Sequence, residues 1–142
     1  MSTQFFLVNV LDPQYYYEDC HIRGSINVSL DDLEDWAKNL DKETRIVVYC
    51  ASYVCPMALT AYMKLHAMGF VNIWVYEGGM NEWYHMNLPV EGPCRQPYLV
   101  DMVQHHPAND DAGKEQQIAM APSDVQKINV EELKKMIANS SL

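Results

Sequence analysis

Arg45-Ile46-Val47-Val48-Tyr49-Cys50-Ala51-Ser52-Tyr53-Val54-Cys55-Pro56 is the stretch on which the reading of this chain turns. Its first half is an apolar run of strand length, and a helical pattern begins at Pro56. Cys50 thus stands at the carboxyl end of a buried strand, just before a tight loop and a helix. Backbone N–H groups converge at such a place, and with the positive end of the helix they favour an anion. They also favour thiolate over thiol, and the thiolate is the nucleophile. Cys50 is therefore the candidate catalytic residue, with a pKa expected below the ordinary value of ~8.5. The backbone N–H groups of Ala51, Ser52, Tyr53, Val54 and Cys55 are expected to line an anion-binding loop around it. A lone cysteine after an apolar run more often only fills core. The surroundings single this one out.

Working outward, strands alternate with helical patterns. Phe5 to Leu11 reads as a mostly buried strand stopped by Asp12-Pro13, and Pro13 to Asp19 as a short helix with proline at its first position. Ser25 to Ser29 is a short strand, and Asp31 to Ala37 a helix with an acidic first turn and Leu33, Trp36 and Leu40 inward. After the Ile46–Tyr49 strand, Pro56 to Met68 forms a helix with Ala58, Ala61, Tyr62 and Leu65 on one face and Gly69 as its cap. Ile73 to Tyr76 is another strand, and Gly78-Gly79 leads into a last short helix, Met80 to Met86, closed by Pro89. This alternation predicts an α/β fold with a parallel sheet covered by helices on both faces.

At 142 residues the chain has room for one domain and an appendage. A net charge of -9 argues against nucleic acid and anionic membrane surfaces, both of which need a basic face. No apolar run approaches the ~18 residues of a spanning helix. Met1-Ser2-Thr3-Gln4-Phe5 lacks the basic flank of a signal peptide, so a reducing cytoplasm is expected. In that setting Cys20, Cys50, Cys55 and Cys94 are expected as free thiols. Their spacing does not match a zinc site. His105-His106 with Asp101, Asp110 and Asp111 also makes a poor metal site, because adjacent histidines point in different directions. No metal and no cofactor is expected.

Composition changes after Pro89. The assignment is residues 1–92 as the domain, 93–128 as a mostly irregular linker and 129–142 as a C-terminal helix. The linker holds Pro93, Pro97, Pro107 and a polar Asn109 to Gly113 stretch, with a short helix over Tyr98 to Gln104. Asn129 and Glu132 have capping-box spacing, and Val130, Leu133, Met136 and Ile137 form an apolar stripe.

Four stretches taken in order resemble the rhodanese-like family of sulfurtransferases. Leu7-Val8-Asn9-Val10-Leu11-Asp12-Pro13 is similar to the family's opening strand and acidic turn, and Tyr17-Glu18-Asp19-Cys20-His21-Ile22-Arg23-Gly24-Ser25-Ile26 to its first signature. Cys50 stands where the nucleophile is expected, and Glu77-Gly78-Gly79-x3-Trp83 before Leu88-Pro89-Val90 is similar to the closing signature. The resemblance covers about residues 5–92. It implies a five-stranded, mainly parallel sheet, and a cysteine persulfide that takes sulfane sulfur from a donor and passes it to a thiophilic acceptor. Many catalytic relatives carry basic residues or a closing arginine, serine or threonine in the loop after the cysteine. Here that loop has no charged side chain, so thiosulfate is expected to be a poor donor. The longer, arginine-closed loop of the related phosphatases is also missing, which argues against phosphate hydrolysis.

Cys55 is either a small residue filling the helix start or a resolving thiol that attacks a Cys50 persulfide or sulfenic acid. His21 and Asp12 read as structural, Arg23 as solvated, and Trp36, Trp74 and Trp83 as core. Tyr53, at the loop crest, either walls the pocket or occludes it. The favoured function is sulfur transfer through Cys50, between small-molecule or protein donors and acceptors. The alternatives are a Cys50/Cys55 redox switch and a non-catalytic module for protein contact. Rhodanese-like domains commonly begin with a short helix, and here a segment of that type, Ile128 to Ile137, comes last. Its apolar stripe is expected to dock where the N-terminal helix normally lies, as in a circular permutation. Docking in cis leaves a monomer, and docking in trans makes a helix-swapped dimer.

Overall fold

Every residue of β4 (Ile46–Tyr49) is buried, because this strand has a neighbour on each side and side chains packed on both faces. The computed structural model describes residues 4–100 and 125–139. β1 (Phe6–Asn9) lies parallel to β4 in the register Phe6↔Ile46 to Asn9↔Tyr49. β3 (Ile26–Asn27) lies parallel to β1 on its far side. β5 (Ile73–Val75) lies parallel to β4 on the other. The order is β3-β1-β4-β5. The alternation of a strand then divides β4 between two cores. Ile46 and Val48 join Val8, Leu33, Ala61 and Leu65 on one face. Val47 and Tyr49 join Leu7, Met80, Trp83 and Leu133 on the other.

Helices α1 (Pro13–Tyr17), α2 (Leu33–Ala37), α3 (Met57–Ala67) and α4 (Gly79–His85) connect these strands. In α3 the buried residues are Ala58, Ala61, Tyr62 and Leu65, the face that helical spacing marks in the sequence. Among the described residues no helix is long and apolar enough to cross a membrane.

The regular parallel sheet has four strands rather than five. Beside β5, where a fifth would lie, residues 126–128 run parallel to it. Val75 N–H donates to Gln126 O, and Ile128 N–H donates to Val75 O, both at 3.0 Å. The Gln126 side chain continues the match, donating to the carbonyls of Val71 and Ile73. This segment is too short for sequence periodicity to register. It leads into α6 (Val130–Ala138), whose Asn129 and Glu132 form a reciprocal capping box. Val130 and Leu133 are buried in the second core, with Met136 and Ile137 packed against it.

A second difference concerns β2 (His21–Ile22) and β6 (Val90–Glu91), an antiparallel pair that no sequence pattern announced. It carries Cys20 next to Gly92, whose φ of +112° lets its backbone press against Asp19 and Cys20. Cys94 is thereby brought to Cys20, and the two form a disulfide across 74 residues, with Cα atoms 4.9 Å apart. The expectation of free thiols at Cys20 and Cys94 is corrected here: the β2–β6 pairing creates the proximity, and pairing cannot be read from spacing. Cys50 and Cys55 are the free cysteines.

The bridge also anchors the start of the segment assigned to the linker. Beyond it α5 (Pro97–Val100) packs on α4, with Leu99 fully buried and its carbonyl bonded to His85 Nε2 at 2.6 Å. The rest of the expected Tyr98–Gln104 helix lies outside the described residues, as do His105, His106, Asp101, Asp110 and Asp111.

Deleting residues 123–142 bares the β5 edge and uncovers the pocket that holds Leu133. A melting temperature lower by ~5 °C or more is expected, measured by calorimetry.

Candidate active site

The site is assembled by three chain segments meeting at the carboxyl end of β4. The strand delivers Cys50, the loop 51–56 folds over it, and the N-terminal turn of α3 points its free N–H groups back toward it. α4 then fixes the loop from the other side. Met80 N–H donates to Cys50 O at 2.9 Å and Asn81 N–H to Ala51 O at 2.8 Å. A trans peptide holds its N–H opposite its C=O. Pinning the Cys50 carbonyl to α4 therefore turns the Ala51 N–H toward the sulfur side.

This contact requires glycine at 79. Its φ is +62°, and a Cβ there would stand 2.6 Å from Cys50 O and 2.9 Å from Ser52 N. Three residues on, Glu82 accepts hydrogen bonds from Tyr53 at 3.0 Å and Tyr76 at 2.8 Å. The loop crest is thus tied to the end of the sheet. Burial and the neighbouring carboxylate push both phenols well above their usual acidity range. Trp83 Nε1 donates to Pro89 O at 2.8 Å and holds the chain that follows. Glu82 carries no sequence signal, since it lies in the unspecified gap of Glu77-Gly78-Gly79-x3-Trp83. Gly79 is legible as part of that motif, but its role against Cys50 is not.

Cys50 is 2% exposed and Cys55 half-buried. Both line a cavity of about 270 Å3 with Ser52, Tyr53, Val54 and Glu77. The Cys50 thiol donates to the Cys55 carbonyl at 3.5 Å, and the two cysteine side chains face the same cavity. The Cys50 thiol is accordingly pushed up: it is the donor to Cys55, and burial disfavours its charge. Cys55 is pulled down to about 6 by accepting from Cys50, helped by the Ala51 and Met57 N–H groups. In the resting dithiol the expected lowering of the Cys50 pKa is thus corrected. The thiolate character sits on Cys55, because it is the more exposed partner and pays less to carry charge.

Ala51 reaches both sulfurs and Ala58 reaches Cys50. The Cys55 N–H is spent on Ser52 O at 3.1 Å. Ser52 is buried, Val54 is largely exposed and Tyr53 forms a wall of the cavity. Among the described residues no lysine or arginine lines this cavity. Glu77 does, and its carboxylate pairs outward with Lys127 at 3.3 Å.

His21 lies elsewhere and braces the β2 turn. It stacks on Tyr16 at 3.7 Å, with Nδ1 on Tyr16 O and Nε2 on Glu91. Arg23 is exposed. Among the described residues no cluster of three or more His, Cys, Asp or Glu side chains is placed to hold a metal ion.

Comparison with known proteins follows the same outline. The family model described as "Rhodanese-like domain" matches residues 3–86. The rhodanese-like domain of an Anabaena protein superimposes with a TM-score of 0.56 at 30% identity, covering 62% of this chain and 99% of that one. A Bacillus halodurans protein gives 0.56 at 34% identity, covering 62% of this chain and 64% of that one. The thiosulfate sulfurtransferase GlpE of Coxiella burnetii is 27% identical over 67 residues, 47% of this chain. The match spans 61% of that relative's length.

Alkylation of Cys55 by iodoacetamide, followed by peptide mass, should reach half its maximal rate near pH 6. Below that pH the thiolate is protonated and the rate falls. Cys50→Ala removes the donor and should move the midpoint upward. Gly79→Ala should cost more than ~1 kcal/mol in a denaturant titration and should slow any reaction at Cys50.

Proposed function

This chain belongs to the rhodanese-like family, and on that premise we propose that it is a sulfurtransferase carrying sulfane sulfur as a persulfide on Cys50. The observation that carries the reading is the position of the Cys50 sulfur. It lies at the end of the central strand, facing a cavity large enough for a small donor, with Ala51 and Ala58 N–H groups directed at it. Those donors are placed to hold negative charge on sulfur as an oxyanion hole holds it on oxygen.

In the uptake step, Cys50 Sγ attacks the sulfane sulfur of the donor. The bond from that sulfur to the rest of the donor breaks, and the rest leaves with the electron pair. The Cys50 proton passes to the Cys55 thiolate, which lines the same cavity and acts as the base. In the transfer step, a thiol or other thiophile attacks the outer sulfur, and Cys50 leaves as thiolate.

Thiosulfate is a poor donor in this reading. Among the described residues the cavity offers its two negative charges no cation, and the Glu77 carboxylate lines it. We place the chemistry in the cytoplasm, where Cys50 and Cys55 stay reduced. The Cys20–Cys94 bridge is kept from cellular thiols by burial, at 2% and 9% exposure.

Cys50→Ser should fold normally and gain no persulfide, read as loss of the ~32 Da sulfur adduct by mass spectrometry after exposure to a donor. A serine variant that transfers sulfur as fast as the parent would refute the assignment. Val54→Arg should raise kcat/KM for thiosulfate about tenfold more than for an uncharged alkyl hydropersulfide. Equal gains on both donors would show that missing charge is not what limits thiosulfate.

A further inference from the structure

Two reduced cysteines on one cavity wall, one deep and one near the mouth, are more than a persulfide carrier needs. The deep sulfur, Cys50, is almost fully buried and donates to the Cys55 carbonyl at 3.5 Å, and Cys55 lines the same cavity. Cys55 is held there by the loop itself: its N–H is bonded to Ser52 O, and Pro56 and α3 follow at once. An external acceptor must come through the cavity to reach the outer sulfur of a Cys50 persulfide. Cys55 is already beside the inner one.

We infer that Cys55 discharges the Cys50 persulfide from within, releasing hydrosulfide and closing a Cys50–Cys55 disulfide. This deepens the persulfide reading and rests on it. The Cys55 thiolate attacks Cys50 Sγ, and a bond forms between the two cysteine sulfurs. The bond from Cys50 Sγ to the outer sulfur breaks, and the outer sulfur leaves with the electron pair as hydrosulfide. The outer sulfur is reduced by two electrons and the cysteine pair is oxidised by two, so the step itself consumes no outside reductant. A dithiol reductant then exchanges with the disulfide, becomes oxidised in turn and restores both thiols.

The geometry selects the inner sulfur because that atom is already hydrogen-bonded to the Cys55 backbone, within the short loop that carries both residues. Once the Cys50 proton is gone, the Ala51 and Met57 N–H groups still favour the thiolate on Cys55. Ala51 N–H faces both sulfurs and favours negative charge on either. The net reaction makes the chain a sulfide-releasing enzyme driven by dithiols, with the persulfide as a short-lived intermediate.

The test compares the full-length parent with Cys55→Ser and Cys55→Ala, each with the Cys20–Cys94 bridge intact. Each is loaded with inorganic tetrasulfide, desalted, and followed by intact mass, peptide mapping and hydrosulfide release, with no thiol added. The parent is expected to lose its ~32 Da adduct and settle about 2 Da below the unloaded mass. It should release an equimolar amount of hydrosulfide, and mapping should join Cys50 to Cys55. Both variants should keep the adduct on Cys50, with decay at least about tenfold slower. Equal persistence in parent and variants overturns the inference while leaving the persulfide reading standing. Transfer of the intact adduct onto Cys55 also overturns it, since that means attack on the outer sulfur. Failure of both variants to load at all, even at high pH, would overturn the persulfide reading and this inference with it.

Discussion

Two backbone hydrogen bonds, from Met80 and Asn81 to the carbonyls of Cys50 and Ala51, set the orientation on which the rest of the site depends. Peptide planarity turns that restraint into direction: a carbonyl held on the α4 side sends its N–H to the sulfur side. Glycine at 79 is what lets the two segments approach, and Glu82 completes the clamp through two phenols. The loop therefore needs no charged side chain of its own to be ordered. Its polarity is supplied by main-chain groups whose aim is set by a neighbouring helix.

The end of β4 is held as firmly on its other flank. Tyr49, directly before Cys50, is wholly buried, and its hydroxyl accepts from Ile22 N–H at 3.1 Å and pairs with Ser25 Oγ at 3.0 Å. Burial pushes this phenol up to about 12, so it stays neutral and keeps its hydrogen bonds over the whole physiological range. The same turn carries Tyr16, which donates to Ser25 O, and His21 stacked upon it. The strand that ends in Cys50 is therefore braced by the β2 turn on one side and α4 on the other.

The sheet strands and the apolar face of α3 were legible because they are long enough, or apolar enough, to leave a periodic trace. Ile46-Val47-Val48-Tyr49 and Ala58, Ala61, Tyr62 and Leu65 are of that kind. The α6 capping box was legible for the same reason of local spacing. β2 and β6, two residues each, leave no such trace, and the Cys20–Cys94 bridge that depends on them was lost with them. Within the site, Cys50 is marked by its place at the end of an apolar strand. The proton's location is not, because the acidity of Cys50 and Cys55 is a property of their contact. Spacing puts them five residues apart in either case; only the fold of the loop decides which one is buried. Glu82 was invisible for a related reason, since its role exists only once Tyr53 and Tyr76 converge on it.

The bond between residues 126–128 and β5 also orders events in time. Synthesis delivers β1, β4 and β5, with the Cys50 loop among them, well before the segment that flanks β5. Until then the backbone groups of Val75 face water or another chain, and the groove for Leu133 is open. An uncovered strand edge beside an apolar groove is the geometry that invites pairing between nascent molecules. The chain thus passes through a stage in which its Cys50 loop can already be formed while its sheet is still adhesive, and the docking of α6 ends that stage.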